Sequence, residues 1–211
     1  MAYNRKDSYY LQAKAEGYRS RAAFKLKELE QKFSLLRPGA RVLDLGCWPG
    51  GWVQVAAKRV GPKGKVVGID LVQTEPLPYP QVSLFEGDVR DEEILQKAED
   101  IAGGKFDVVI SDMSPKHTGI KEVDQAGTAH SVELAYWVST QVLKNGGALL
   151  MKAFPSGDLD RFLPELKQAF KRFQRIGLKS TRKTSKEFYI CCSGYKGGEV
   201  RQEESLEAAE M

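Results

Sequence analysis

Carboxylates stand at the ends of several apolar segments of this chain. Asp70, Asp88 and Asp112 each follow a run of residues typical of a buried β-strand. A fourth such run leads into a turn at Gly46. A lone aspartate in that position usually forms a turn or a cap, but the carboxyl ends of parallel strands share one rim, where ligands bind. The set therefore predicts a nucleoside site, with Asp70 on ribose hydroxyls and Asp88, beside Val89, on an adenine amino group.

The turn after the first apolar run reads Gly46-Cys-Trp-Pro-Gly-Gly-Trp52. Glycines in such a turn let the backbone approach a ligand closely. A dinucleotide site would need G-x-G-x-x-G around a pyrophosphate, and Trp48 occupies the second glycine position. The remaining Pro49, Gly50 and Gly51 favour a smaller ligand with an amino-acid end and a nucleoside end. A dinucleotide-dependent oxidoreductase is the alternative that this spacing disfavours.

Lys152 is a charged residue inside the apolar segment 149–154. Lysine is rarely buried without a partner or a purpose, and a neutral lysine can act as a general base. Burial and a neighbouring cation both favour the neutral amine. The alternative is a purely structural set of ion pairs.

The elements that would position these residues alternate between strand and helix patterns. Predicted strands are 41–46, 65–71, 81–85, 106–112, 148–154, 176–180 and 187–193, and predicted helices are 21–33, 52–60, 91–102, 129–143 and 159–173. This alternation predicts an α/β fold with a mostly parallel, seven-stranded sheet and helices on both faces. The last two strands, joined by a short basic loop, should form an antiparallel hairpin.

Length and composition fit one domain with short appendages. The chain has 211 residues, of which 42% are hydrophobic, enough for one core. We expect a basic, aromatic RNA-binding extension at 1–20, the main domain at 21–196 and an acidic, flexible tail at 197–211. No apolar run approaches the roughly 20 residues of a membrane span, and no signal peptide or zinc pattern is evident. A cytoplasmic, monomeric, metal-free protein is the expectation.

Basic residues are concentrated in two segments, although the net charge is only +4. Residues 1–27 contain seven Lys/Arg against two acids, and residues 167–186 contain eight basic residues and no acid. Such runs are often solvated surface, but tyrosines among the first set also fit an RNA-binding surface. Arg19, Arg21 and Lys25 are the predicted RNA contacts, and we expect both segments to flank the rim.

Five segments carry a resemblance to a known family. They are Arg19-Ser-Arg-Ala-Ala-Phe-Lys25-Leu, Asp44-Leu-Gly-Cys-Trp-Pro-Gly-Gly-Trp52, Ser111-Asp112-Met-Ser-Pro115, Leu150-Met-Lys152-Ala-Phe154 and Ser185-Lys-Glu187-Phe-Tyr-Ile190. The sequence resembles the FtsJ family of RNA ribose methyltransferases from about Tyr18 to Gly194. Where this family usually has small residues in the turn, the chain has Cys47-Trp48, which could alter the packing around a methionine end.

The resemblance implies a fold, a cofactor and a catalytic set. The fold is the Rossmann-like one of S-adenosylmethionine-dependent methyltransferases, and the catalytic tetrad maps onto Lys25, Asp112, Lys152 and Glu187. Cofactor contacts are expected at Gly46, Pro49, Gly50, Gly51, Trp52, Asp70, Asp88, Val89 and Asp112. The reaction implied is methylation of the ribose 2′-hydroxyl of a uridine, in the A loop of 23S RNA within the large ribosomal subunit.

Each tetrad residue receives an expected role. Lys152 is the general base, and Asp112 orients its amine. Lys25 holds the substrate and disfavours the charged form of Lys152, while Glu187 fixes the ribose or Lys25. Alternatives are a transfer RNA anticodon loop or an mRNA cap as substrate, and a non-catalytic RNA-binding protein of the same fold, which would be expected to have lost part of the tetrad.

Overall fold

Helices and strands alternate along most of the chain in a computed structural model that describes residues 7–114, 121–182 and 184–197. The helices are α1 (Ser8–Ala15), α2 (Ala23–Phe33), α3 (Gly51–Val60), α4 (Glu92–Ala102), α5 (Lys121–Val142) and α6 (Gly157–Ala169). The strands are β1 (Arg41–Leu45), β2 (Lys65–Asp70), β3 (Val82–Glu86), β4 (Phe106–Ser111), β5 (Leu143–Ala153), β6 (Phe170–Ile176) and β7 (Phe188–Tyr195).

The strands form one sheet in the order β3-β2-β1-β4-β5-β7-β6. Strands β1 to β5 pair in parallel, whereas β7 is antiparallel to both β5 and β6. This confirms the predicted α/β fold with its C-terminal hairpin. The chain order reverses between β1 and β4, and ligands of such sheets bind beyond the carboxyl ends of the strands at this reversal. We call this edge of the sheet the rim.

Two apolar layers sandwich the sheet because alternate strand residues face opposite sides. Val42, Val66 and Val108 pack with residues of α2 and α3 in one cluster. Leu43 and Val109 pack with residues of α4, α5 and α6 in the other. The strands are therefore apolar on both faces, as is usual for central parallel strands. In the central parallel strands β1, β2, β4 and β5, polar side chains are confined to the ends, apart from Asp44 and Lys152.

The hairpin occupies a different part of the sequence from the one predicted. Helix α6 ends at Ala169, and β6 covers Phe170–Ile176, so the predicted helix to 173 and strand at 176–180 are wrong. Phe170, Phe173 and Ile176 recur every three residues, a spacing that also fits a helix. Pairing with β7 decides the outcome. The connection 177–187 is consequently longer than predicted and contributes to the rim.

The N-terminal segment is better ordered than its sequence pattern indicates. Asp7 begins α1 by accepting a hydrogen bond from the amide of Tyr10 at 2.9 Å. Helix α2 begins with Ala22 as its N-cap, which makes no side-chain cap bond. Residues 1–6 and 198–211 lie outside the described residues, and with them nearly all of the predicted acidic tail. Within the described part, no helix combines the length and the apolar character needed to cross a membrane.

Candidate active site

Four ionisable side chains from distant parts of the chain meet at the rim. Lys152 on β5 places Nζ 3.3 Å from Asp112 Oδ1, just after β4, and donates to the main-chain oxygen of Asp112 at 2.5 Å. Lys25, in the first turn of α2, places Nζ 2.5 Å from Glu187 Oε1 and 4.0 Å from Asp112 Oδ1. The structure thus brings the predicted tetrad together, with Asp112 between the two lysines.

Tyr189 is a fifth member of this cluster that the sequence did not single out. Its hydroxyl donates to Asp112 Oδ1 at 2.6 Å, and its side chain is fully buried. Burial, and then the charges of Asp112 and Glu187, raise the pKa of Tyr189 well above its ordinary value. The phenol therefore remains a neutral donor that fixes the orientation of the Asp112 carboxylate.

Trp52 packs against Tyr189, next to the tetrad. Its ring centroid lies 5.9 Å from that of Tyr189, and its indole nitrogen donates to the main-chain oxygen of Ala22 at 2.8 Å. The side chain is 3% exposed. Its side chain joins α3 to α2, and the expected contact of Trp52 with the cofactor stays a prediction.

Glu187 is held in the charged state by its neighbours. Burial raises the pKa of this carboxyl, but the Lys25 charge and hydrogen bonds from Lys25 and Thr181 outweigh burial and lower it. Thr181 donates to Glu187 Oε1 at 3.0 Å. Glu187 and Lys25 therefore form a buried ion pair in which each charge has a partner.

Glu28 anchors the 177–187 connection to α2, one turn after Lys25. Its carboxylate accepts the amides of Lys179 and Ser180 at 2.9 and 3.1 Å. Arg21 donates to the main-chain oxygen of Ser180 at 2.6 Å. Glu28 thus attaches the first part of the connection to α2. The ion pair of Glu187 with Lys25 attaches the end of the connection to the same helix. This role depends on contacts between residues about 150 positions apart, which sequence spacing does not reveal.

Asp70 links the turns that follow β1 and β2. Its Oδ2 accepts the amide of Trp48 at 2.8 Å, and its Oδ1 accepts the amide of Val72 at 2.9 Å. Trp48, Leu71 and Val72 expose 58%, 67% and 54% of their surface around this carboxylate. Cys47 is instead buried beside Thr74, and burial raises the pKa of its thiol to about 12.

The glycines of the turn are required by close contacts within the protein. Gly46 has φ +71°, and a Cβ there would lie 2.5 Å from Met113 Cγ. A Cβ on Gly51 would overlap the hydroxyl of Ser20. Pro49 lies within this turn, preceded by a cis peptide bond. The turn is therefore packed against the segment before α2 and the segment after β4, and the latter also carries Asp112.

Asp88 lies at the rim after β3, but its carboxylate is engaged. It accepts the amide of Arg90 at 3.0 Å and forms an ion pair with the Arg90 guanidinium at 2.5 Å. These bonds lower the pKa of Asp88. Val89 is buried at 7% exposure. A ligand that used Asp88 as an acceptor would have to share it with Arg90.

Asp44 is a buried carboxylate inside β1. It is 1% exposed, and its Oδ2 has no hydrogen-bond partner in the described part of the chain. Burial, followed by the charges of Asp112 and Asp70, raises its pKa well above the ordinary value. An unpaired buried acid is costly. Asp44, like Lys152, is a charged residue within an apolar strand segment. The sequence pattern that indicates a role for Lys152 therefore also indicates one for Asp44, which the sequence analysis names only within the turn motif.

A basic pocket of about 430 Å³ opens beside the tetrad. It is lined by Arg21, Lys25, Ser114, Phe154, Arg182, Thr184, Ser185, Lys186 and Glu187. Four of these residues are cations, whereas Glu187 is the one acid among them. The pocket therefore favours an anionic ligand whose reacting group would lie near the lysines.

Comparisons with known proteins identify the family of this chain. A sequence model of the family described as FtsJ-like methyltransferase matches residues 18–195. The chain belongs to this family. The match includes every tetrad residue and the glycine turn, and it confirms the resemblance drawn from the sequence motifs.

Relatives of this FtsJ-like methyltransferase share most of its length. Proteins named ribosomal RNA large subunit methyltransferase E are 41% identical in Methanothermobacter thermautotrophicus, over 94% of each chain, and 42% identical in Coxiella burnetii, over 91% of this chain and 92% of the relative. A crystal structure described as a ribosomal RNA methyltransferase of Plasmodium falciparum superposes with a TM-score of 0.75 at 28% identity, covering 85% of this chain and 100% of the other.

Arg19 and Arg21 face different parts of the FtsJ-like methyltransferase. The Arg19 guanidinium donates to the main-chain oxygens of Glu75 and Pro76 at 2.5 and 2.6 Å, and to that of Pro49 at 3.3 Å. Arg21 lines the basic pocket, with Nε 3.3 Å from Asp7 Oδ2. Of the three predicted RNA contacts, the structure places Arg21 and Lys25 on the pocket and Arg19 against the glycine turn.

The second basic segment is divided between the two ends of the sheet. Arg182 and Lys186 line the pocket at the rim. In the strand register, Arg172 of β6 lies opposite Ser193 of β7, which lies opposite Ala148 near the other end of β5. The expectation that the whole segment 167–186 flanks the rim is therefore wrong. The first part of this segment includes the start of the edge strand β6, which lies at the end of the sheet away from the rim.

Replacing Asp44 by asparagine is expected to stabilise the ligand-free protein by about 1 kcal/mol at pH 8, because the cost of a buried charge is removed. A carboxyl whose folded pKa is raised loses stability as pH rises above its unfolded value of about 4. The gain should therefore increase between pH 4 and pH 8 in urea unfolding curves. A variant less stable than wild type throughout that range would contradict this account of Asp44.

Proposed function

We propose that this chain transfers a methyl group from S-adenosylmethionine to the 2′-oxygen of a ribose in large-subunit ribosomal RNA, the target being the A-loop uridine of 23S RNA. The observation that carries the proposal is the Lys152–Asp112 pair beside a basic pocket that Lys25 and Glu187 line, with the carboxylates of the glycine-turn rim nearby. The relatives named ribosomal RNA large subunit methyltransferase E support the choice of RNA.

The rim fits the proposed donor. Asp44 is a buried acid with an oxygen that lacks a partner in the described residues, so it could receive the ammonium of the methionine end. Asp70 would accept the ribose hydroxyls, and exposed apolar side chains around it would cover an adenine. When bound, the donor supplies a methyl group already activated on a sulfonium. The protein must therefore align the two ligands and remove one proton.

Lys152 would accept the proton of the 2′-hydroxyl at Nζ. Asp112 holds this amine through both its carboxylate and its main-chain oxygen, and Tyr189 fixes the carboxylate. Positioning of this kind can contribute about 7–11 kcal/mol when the geometry is good. Lys25 faces the pocket while paired with Glu187, so it would bind the ribose or an adjoining phosphate without carrying an unpaired buried charge.

Donor binding tests the class of enzyme directly. Calorimetry should detect binding of S-adenosylmethionine and none of NAD. Asp70→Ala should weaken donor binding by about 1–3 kcal/mol, because the ribose hydroxyls and the amides of Trp48 and Val72 lose an acceptor. Asp100→Ala, an exposed site on α4, is the matched control. Unchanged affinity in Asp70→Ala would rule out Asp70 as a ribose ligand.

Arg19 and Arg21 should separate donor binding from RNA binding. We expect Arg21→Ala to weaken RNA binding and reduce its salt dependence, because a pocket cation is lost. Arg19→Ala should instead weaken donor binding, because the glycine turn loses its guanidinium contacts. Filter binding of ribosomal RNA and calorimetry with the donor measure the two effects. If Arg19→Ala lowered only RNA affinity, the donor-side role would be excluded.

A further inference from the structure

A second basic cleft lies at the end of the sheet opposite the rim. It has a volume of about 300 Å³ and is lined by residues that include Phe33, Ser34, Arg37, Asp107, Lys144 and Arg172. These come from the end of α2, the start of β4 and β5, and the edge strand β6. We call it the Arg37–Arg172 cleft. It shares no residue with the catalytic pocket.

The charge of this cleft is not balanced within the protein. Lys144 pairs with Asp107, whose carboxylate also accepts the amide of Arg41 at 2.8 Å. Arg37 and Arg172 are exposed, and within residues 7–114, 121–182 and 184–197 neither guanidinium has an ion-pair or hydrogen-bond partner. Two unpaired guanidinium groups that open into one cleft favour a phosphate, which arginine binds through paired N–H donors.

The position of the cleft indicates which phosphate could reach it. In the strand register, Lys152 of β5 lies opposite Tyr189 of β7. Ala148 of β5 and Arg172 of β6 both lie opposite Ser193 of β7. Arg172 therefore lies four residues of strand, or about 13 Å, from the level of the catalytic lysine. The edge strand β6 exposes Lys171, Arg172 and Arg175 along this path, and Arg175 is paired with Asp160 at 3.0 Å. A single nucleotide in the catalytic pocket could not also occupy the cleft.

We propose that the Arg37–Arg172 cleft binds a backbone phosphate of the substrate RNA at a distance from the target nucleotide. The inference rests on the proposed function in taking that RNA as the ligand. It specifies the substrate as an extended, structured RNA that follows the β6 edge of the sheet. The cations on β6 then have a binding role in addition to discouraging edge-to-edge association of strands.

The test compares two double variants with equal loss of charge. Arg37→Gln with Arg172→Gln removes the cleft cations. Lys63→Gln with Lys65→Gln removes two exposed cations near the same end of the sheet, at the start of β2, five strands from β6. Binding of in vitro transcribed large-subunit ribosomal RNA is measured without donor, across a salt series. Thermal melting and donor affinity, which should match wild type in both, establish that the variants are folded.

The cleft variant should bind the RNA about tenfold more weakly at 0.1 M salt, and its salt slope should fall by about 0.7 to 0.9, as expected for one lost phosphate contact. The control should retain the wild-type slope. Equal losses in the two variants, or no loss in the cleft variant, would overturn the proposal. Either result would leave the methyl-transfer proposal standing, since that is measured separately by product formation.

Discussion

Lys152→Ala is expected to lower single-turnover methyl transfer by about a thousandfold or more, because general-base catalysis contributes about 10²–10⁴ in rate. Donor affinity should be unchanged, since Nζ contacts Asp112 and in the proposed mechanism would meet the 2′-hydroxyl rather than the donor. Lys152→Arg should fail almost as severely. Arginine retains the charge and the hydrogen-bond donors but does not release a proton near neutral pH.

The arginine variant separates two possible roles of Lys152. A positioning cation would tolerate arginine, whereas a proton acceptor would not. The wild-type rate should also rise with pH when chemistry limits turnover, because only the neutral amine accepts a proton. Lys63→Arg, at an exposed site away from the rim, is the matched control. An Lys152→Arg variant with a near-wild-type rate would remove the general-base assignment.

Asp112→Asn is expected to reduce the same rate by about a hundredfold. Asparagine preserves the shape of the side chain, but the two lysines lose the carboxylate that lies 3.3 Å from Lys152 and 4.0 Å from Lys25. The amine of Lys152 would then be less firmly oriented.

A lower rate alone would also follow from local misfolding, so the Asp112 test includes thermal melting, which should match wild type. Asp100→Asn on α4 serves as the control for charge removal at an exposed site. A variant with a rate within about threefold of wild type would show that Asp112 does not orient the base.

Features encoded locally were predictable from the sequence. Apolar strand patterns gave the parallel sheet, and strand ends gave the rim carboxylates. Lys152 was identifiable because a charge inside an apolar strand is unusual. Lys25 and Glu187 required the family resemblance, since they lie far apart in the chain.

Features that depend on tertiary contacts were not predictable. Tyr189 and Glu28 act through residues from other parts of the chain, and nothing in their local sequence marks them. Arg19 and Arg21 are two residues apart and of the same type, yet their guanidinium groups contact different surfaces. The wrong prediction for β6 has a similar origin. Apolar residues spaced three apart favour a helix, and pairing with β7 overrides this local preference.

The central claim is methylation of a ribose 2′-oxygen, and the position of the transferred methyl group tests it most directly. Large-subunit ribosomal RNA from cells lacking this protein would be incubated with the purified chain and methyl-labelled S-adenosylmethionine, then digested with alkali. Alkaline cleavage needs a free 2′-hydroxyl, so a 2′-O-methylated nucleotide remains in an alkali-stable dinucleotide. We predict that the label appears in one such dinucleotide with uridine at its 5′ position, and that Lys152→Ala incorporates none. Label recovered in mononucleotides would place the methyl group on a base and contradict the account.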